Sequence, residues 1–171
     1  LKKASEALIK EEVSSGIEII SNDTKVELLE TPFVHLHVHS QFSVLQSTSQ
    51  IPKLVEAAQK NNMPALALTD KANLMGAFHF IKAVKNHNSL LEDKTKEIKP
   101  IVGCEFYVCE NHKDKTRRDD GYQVVFLAKN KNGYHNLSKM SSLAYTSGFY
   151  YVPRIDREIV EQYKENLIIL T

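Results

Sequence analysis

Residues Phe33 to Ser40 read FVHLHVHS. In an extended strand this stretch turns His35, His37 and His39 to one face and Val34, Leu36 and Val38 to the other, because strand side chains repeat every two residues. Imidazoles at alternate strand positions are close enough to converge on one metal ion, and neutral imidazole suits Zn, Mn or Fe. The plainer alternative is a strand with surface histidines and a buried aliphatic back, since an isolated H-x-H recurs by chance. Carboxylates delivered by later strands weigh toward the site.

Outward from that stretch, Gln41 to Gln50 is a polar, Ser-rich loop, of the kind that borders a site. Ile51 to Asn62 sets Leu54, Val55 and Ala58 at helical spacing, with Ser49 as N-cap and Pro52 in the first turn. Ala65 to Thr69, ALALT, reads as a strand covered on both faces that delivers Asp70 at its C-terminal end. Leu74 to Asn86 resumes helical spacing through Phe78, Ile81 and Val84. Strand, helix, strand, helix predicts parallel βαβ units, not an antiparallel sandwich.

Pro100 to Cys109, PIVGCEFYVC, is a further strand with Glu105 inside it. A carboxylate amid apolar strand residues is costly unless it is paired or bound to a cation. Asn111 to Gly121, NHKDKTRRDDG, reads as an exposed, mobile charged loop. Tyr122 to Ala128 is predicted as a strand, Tyr134 to Tyr145 as a helix with Leu137, Met140 and Leu143 inward, Ile155 to Tyr163 as a short helix, and Asn166 to Leu170 as a buried strand. Tyr150, Tyr151, Arg154 and the Arg117-Arg118 pair set rings beside guanidinium groups, as nucleic-acid surfaces do. No basic run tracks a face, so aromatics closing a barrel end beside a solvated loop is the favoured reading.

The 171 residues suffice for one ordinary domain. Hydrophobic content of 42% and charged content of 25% exclude disordered and collagen-like classes. A formal net charge of +1 gives no global electrostatic case for nucleic-acid or membrane binding. No apolar run approaches a membrane span, which predicts a cytoplasmic protein without a membrane partner. Cys104 and Cys109 are five apart in a strand, so they point to opposite faces and read as buried thiols rather than a disulfide. Leu1 to Glu30 differs in character and lacks an initiator methionine; it reads as a linker or the tail of an upstream domain, with residues 31 to 171 forming the next unit. A chain that ends just after an inner strand reads as part of a larger barrel.

FVHLHVHSQFSVL, PALALTDKANLMGAFHF, KPIVGCEFYV and GYQVVFLAKNKNGYHNLSKMSSLAYTSGFYYVPRID, in this order, resemble the N-terminal polymerase and histidinol phosphatase (PHP) domain of bacterial DNA polymerase III alpha subunits. The resemblance implies an α/β fold, a distorted (β/α)7 barrel of which this chain holds the N-terminal part. It implies a phosphoesterase-type centre with divalent metal (Zn, Mn or Mg), in which His37 and His39 match the H-x-H ligands and Glu105 the carboxylate; Asp70 is a weaker candidate ligand. It departs from the family at three positions: Gln46 stands where an acidic residue is frequent, Lys71 replaces a histidine of the T-D-H-G-N motif, and Gln123 stands where a histidine is frequent. A charged lysine has no lone pair and repels a cation, and an amide is a weak ligand. The metal centre is therefore expected to be degenerate, incomplete or empty, with Lys71 paired to Glu105 or Asp70.

The resemblance further implies a structural platform within a replicative polymerase, whose DNA-directed nucleotidyl transfer belongs to later domains. Its implied partners are those remaining domains, a proofreading exonuclease subunit or domain, and DNA through the parent chain. The alternative is an active phosphoesterase with 3′–5′ exonuclease or pyrophosphatase activity. A histidinol phosphatase is disfavoured by the polymerase-type stretch from Leu127 to Asp156.

Overall fold

The sequence folds around one long strand. In the computed structural model, which describes residues 32–170, that strand is β2 (Lys99–Cys109), and β1 (Ala65–Leu68), β3 (Tyr122–Ala128), β4 (Arg154–Asp156) and β5 (Leu167–Leu170) assemble about it. The expectation for residues 1–30 lies outside the described residues. β1 and β4 run parallel to β2, whereas β3 is antiparallel to β2 and β5 to β3. The parallel β1–β2 pair agrees with the βαβ reading of the first half, and the pairing becomes mixed beyond it. The segment between β2 and β3 holds no helix, and without a crossover the chain returns as a hairpin.

Helices α1 (Ile51–Lys60), α2 (Ala77–Ser89), α3 (Lys131–Thr146) and α4 (Arg157–Tyr163) complete the fold. Ile51, Val55 and Ala58 of α1 and Phe80 and Val84 of α2 bury against Leu66 and Leu68. Leu137, Met140 and Ala144 of α3 and Ile159 of α4 bury against Cys104, Phe106 and Phe126. The β1–β2 register sets Leu68 beside Val102, so Leu68, Val102, Cys104 and Phe106 share one face by strand parity. All four helices therefore cover the same face of the sheet. The opposite, inner face carries Ala67, Ile101, Val125, Leu127 and Leu170, and on it lies Glu105.

Several local expectations shift. α1 is capped at Gln50 rather than Ser49, and Gln41 Oε1 accepts the Ile51 N–H at 3.1 Å. α2 starts at Ala77, not Leu74, which turns Phe80 inward and leaves Phe78 73% exposed. β5 is an edge strand with Ile168 and Ile169 exposed rather than buried. Cys104 and Cys109 are both free and buried. Among the described residues no helix is long and apolar enough to cross a membrane.

The loop from 110 to 121 is largely exposed, as its charges suggest, but it is anchored from beneath. Arg154 is fully buried and donates to the carbonyls of His112, Asp114, Asp119 and Gly148. His112 is buried too, its Nδ1 2.5 Å from Asp156 Oδ2, while Asp156 Oδ1 accepts the Ile159 N–H and caps α4. Gly121 closes the loop at φ +68°, where a Cβ would lie 2.3 Å from the Val108 oxygen. Arg117 and Arg118, both exposed, pair with Glu110 and Asp120, and Arg118 lies 4.9 Å from the Tyr151 ring centroid.

Arg154→Met leaves four carbonyls without their donor and should cost about 3 kcal/mol or more, read as a lower urea midpoint. Burial pushes the Asp156 carboxyl up, but hydrogen bonds from His112 and Ile159 outweigh it and hold it below the usual carboxylate range. A depressed folded pKa gives stability that is full above the unfolded value and lost as pH falls through the folded one. Asp156→Asn should therefore flatten the acid limb of the stability profile below about pH 4, measured by thermal denaturation against pH.

Candidate metal centre

Residues 33 to 40 are extended along β1 but form no regular ladder. The His35 carbonyl accepts from Ala67 N–H at 3.0 Å and the Val38 carbonyl from Thr69 N–H at 2.8 Å. Three residue steps on one side face two on the other, the geometry of a bulge, with the bend at His37. The Thr69 hydroxyl fills the missing place, accepting from Val38 N–H and donating to its carbonyl. One extra residue inverts the alternation. His35 stays out of the group at Glu105, lines the same groove as its two successors and packs edge-on against Phe33 at 4.8 Å between ring centroids, while His37 and His39 turn toward Glu105.

There both imidazoles reach one oxygen. His37 Nε2 and His39 Nε2 each lie 2.6 Å from Glu105 Oε2. An ionised carboxylate only accepts, so in this arrangement both rings carry their hydrogen on Nε2. The other oxygen, Oε1, faces the Lys71 ammonium at 3.2 Å. With its amide turned to satisfy both neighbours, Gln123 donates to Oε1 at 3.0 Å and accepts from Lys71 Nζ at 3.3 Å. Glu105 is 1% exposed and Lys71 12%. Burial pushes the Glu105 carboxyl up, but His37 and Lys71, followed by His39, outweigh it and hold it below its ordinary value.

Sheet register explains the convergence. β1 and β2 pair with a constant offset from Ala65↔Lys99 to Leu68↔Val102, and the isolated bridge Lys71↔Glu105 continues it. β3 sets Val125 opposite Glu105 and Gln123 opposite Tyr107, so those four side chains share a face. Tyr107 was not singled out in the sequence, although it stands two residues after Glu105. Its ring centroid is 5.2 Å from Lys71 Nζ.

Asp70, the weaker candidate, turns away from this cluster. Its carboxylate accepts from Ser40 N–H, Ser40 Oγ and Ser43 Oγ, each at 2.7 Å, and so pins the loop that follows the histidines. These three bonds tie Asp70 to that loop. Gln46 is exposed and lines a groove of about 500 Å³ beside His37 and His39. The two serines carried no sequence signal beyond a polar loop.

His37, His39 and Glu105 offer ligand atoms within 4.8 Å of one another. Two imidazoles and a carboxylate suit one divalent ion once the rings give up their Nε2 hydrogens, and a bound ion would supply Lewis acidity toward water or a phosphoryl oxygen. Among the described residues this is the one such group of ligand atoms. The groups next to Glu105 are an ammonium and an amide, and the Asp70 carboxylate faces Ser40 and Ser43. Glu105→Gln would leave the Lys71 ammonium in the sheet without its counter-charge, and should cost about 3 kcal/mol in equilibrium denaturation, whereas His37→Ala, at a half-exposed ring, should cost under about 1 kcal/mol.

Comparison with known proteins bears on this geometry. The PHP domain family model matches residues 35–171. The DNA polymerase III subunit alpha of Chlamydia muridarum is 44% identical over 143 residues, covering 81% of this chain and 11% of that protein. The same subunit from Borreliella burgdorferi is 44% identical over 140 residues, covering 80% and 11%, and that from Aquifex aeolicus 40% identical over 148, covering 81% and 12%. The chain thus spans only about a ninth of the length of these relatives. A family match that begins at His35, reaches the end of the chain, and takes in the two imidazoles, Glu105 and the sheet that joins them establishes that the chain belongs to the PHP domain family.

Proposed function

We propose that this chain is the N-terminal part of the PHP module of a bacterial replicative DNA polymerase III alpha subunit, and that it serves there as a structural platform with a degenerate metal centre. The observation that carries the second half is the state of Glu105: Oε2 is taken by two imidazoles and Oε1 by Lys71 and Gln123. A carboxylate fully engaged with protein donors keeps the shape of a metal pocket without needing the metal. The relatives support the first half. The inner sheet face, with helices on the outer face alone, suits one wall of a distorted (β/α)7 barrel. On this reading residues 31 to 171 belong to the PHP unit and residues 1 to 30 lead into it from upstream. Polymerisation, contact with DNA and any proofreading exonuclease partner belong to the parent protein, in the cytoplasm.

A second reading, an active 3′–5′ exonuclease or pyrophosphatase, draws on the 4.8 Å cluster of His37, His39 and Glu105. Elemental analysis and a manganese-supplemented assay separate the two. The platform reading expects fewer than two divalent ions per chain, and release of nucleotide from 3′-labelled DNA or of phosphate from pyrophosphate no faster than for His39→Ala. Two or more tightly held ions, or a manganese-dependent rate abolished in His39→Ala, would establish the phosphoesterase instead.

A further inference from the structure

We infer that the Lys71 ammonium is a built-in cation: it balances Glu105 where a divalent ion would, and it bars such an ion from the triangle of His37, His39 and Glu105. This rests on the degenerate-centre reading and adds which side chain closes the site and by what means.

The ammonium sits in a cage rather than in solvent. Its partners are a carboxylate oxygen at 3.2 Å, an amide oxygen at 3.3 Å and the face of Tyr107, whose centroid is 5.2 Å away. These are three kinds of cation acceptor, each placed by strand register on the inner face. A lysine that merely passed the site would send its long stem to water, and this one is 12% exposed.

Its backbone is held as firmly as its head. Lys71 N–H donates to Ser43 Oγ at 3.0 Å, and its carbonyl accepts from Asn73 Nδ2 at 3.0 Å. The next residue, Ala72, is fully buried at φ +54°, a left-handed conformation that costs a non-glycine residue, and its N–H donates to the Glu105 carbonyl at 2.7 Å. The turn that delivers Lys71 is therefore tied to the residue whose charge it meets, so the stem of the ammonium starts from a fixed point beside Glu105.

Charge decides the rest. With neutral imidazoles, one carboxylate and one ammonium sum to zero. A divalent ion added to that set leaves two positive charges in excess around a single buried carboxylate. With the ammonium removed, the same ion leaves one, and Glu105 loses the cation that competes for its charge.

The test is a calorimetric titration with Mn²⁺ alone, accompanied by thermal denaturation, on the full 171-residue chain and on Lys71→Met, Lys71→Arg and the double variant Lys71→Met with His39→Ala. We expect Lys71→Met to bind one Mn²⁺ at least about tenfold more tightly than the unaltered chain, by the loss of one repelling charge, and to gain a manganese-dependent rise in Tm. Lys71→Arg should behave as the unaltered chain, and His39→Ala should remove the gain. Equal affinity in Lys71→Met and the unaltered chain, or a gain that survives His39→Ala, overturns the inference. Should Lys71→Met be unfolded as purified, refolding with Mn²⁺ but not with chelator supports it, and failure in both overturns it. Two or more ions on the unaltered chain would remove the degenerate-centre reading whatever Lys71 does. Equal, weak binding of at most one ion by both forms would remove this inference alone.

Discussion

A carboxylate buried in the middle of a strand must be neutralised, and the arrangement about Glu105 is the solution this fold adopts. An ionised group at 1% exposure without partners would cost several kcal/mol, a large fraction of the stability of an ordinary domain. The donors come from three separate segments: His37 and His39 from the bulged stretch, Lys71 from the end of β1, and Gln123 from β3. Each reaches Glu105 only if its segment pairs in the observed register. A slip of one residue in β1 would move Lys71 off the line of Glu105, and the same slip in β3 would turn Gln123 to the helix-covered face. Charge balance and sheet register are thus a single constraint.

A second buried ionic cluster stands further along the same strand. β3 occupies one edge of β2 over residues 103 to 108, so β1 and β4 share the other, β1 pairing from Lys99 to Val102 and β4 from Tyr107 to Cys109. Where the edge passes from one partner to the next, the backbone ladder is interrupted, and the bridge Lys71↔Glu105 falls in that interval. Arg154 opens the β4 pairing opposite Tyr107 and draws in the carbonyls of the 110 to 121 loop, while Asp156 ends it and caps α4. Buried charges therefore secure both sides of the handover.

How much of this the sequence revealed follows from the range of each interaction. Strand and helix periods are local, so β1, β2, β3, α1 and the inward face of α3 at Leu137 and Met140 were legible within a residue or two at most boundaries. Glu105 was legible because a carboxylate between apolar strand residues demands a partner. The failures came from what period alone does not carry. The bulge at His37 is held by the Thr69 hydroxyl, 31 residues from Val38, and His35 is left out of the group at Glu105 that simple alternation assigned to it. The antiparallel return of β3 followed from the absence of a helix. The pairing of His112 with Asp156 across 44 residues had no local mark, so the charges of the loop between β2 and β3 gave its exposure but not its anchors. Asp70 was placed correctly at a strand end, but which way its carboxylate turned depended on Ser40 and Ser43.

The difference between an ammonium and a metal ion in such a pocket is a difference in what remains available for chemistry. A divalent ion held by three protein groups keeps open positions, through which water can be acidified or a phosphoryl oxygen polarised. An ammonium has three donors and no acceptor orbital, and here it faces Glu105, Gln123 and Tyr107. It can balance a charge and hold three strands in register. It cannot acidify a water molecule by coordination, and being covalently tethered it does not exchange with ions in solution. If Lys71 has taken over the structural half of a metal's work, the pocket can keep its shape while the hydrolytic half lapses. A pocket closed in that way would still hold its strands in place, because that task draws on the sheet and its buried charges alone.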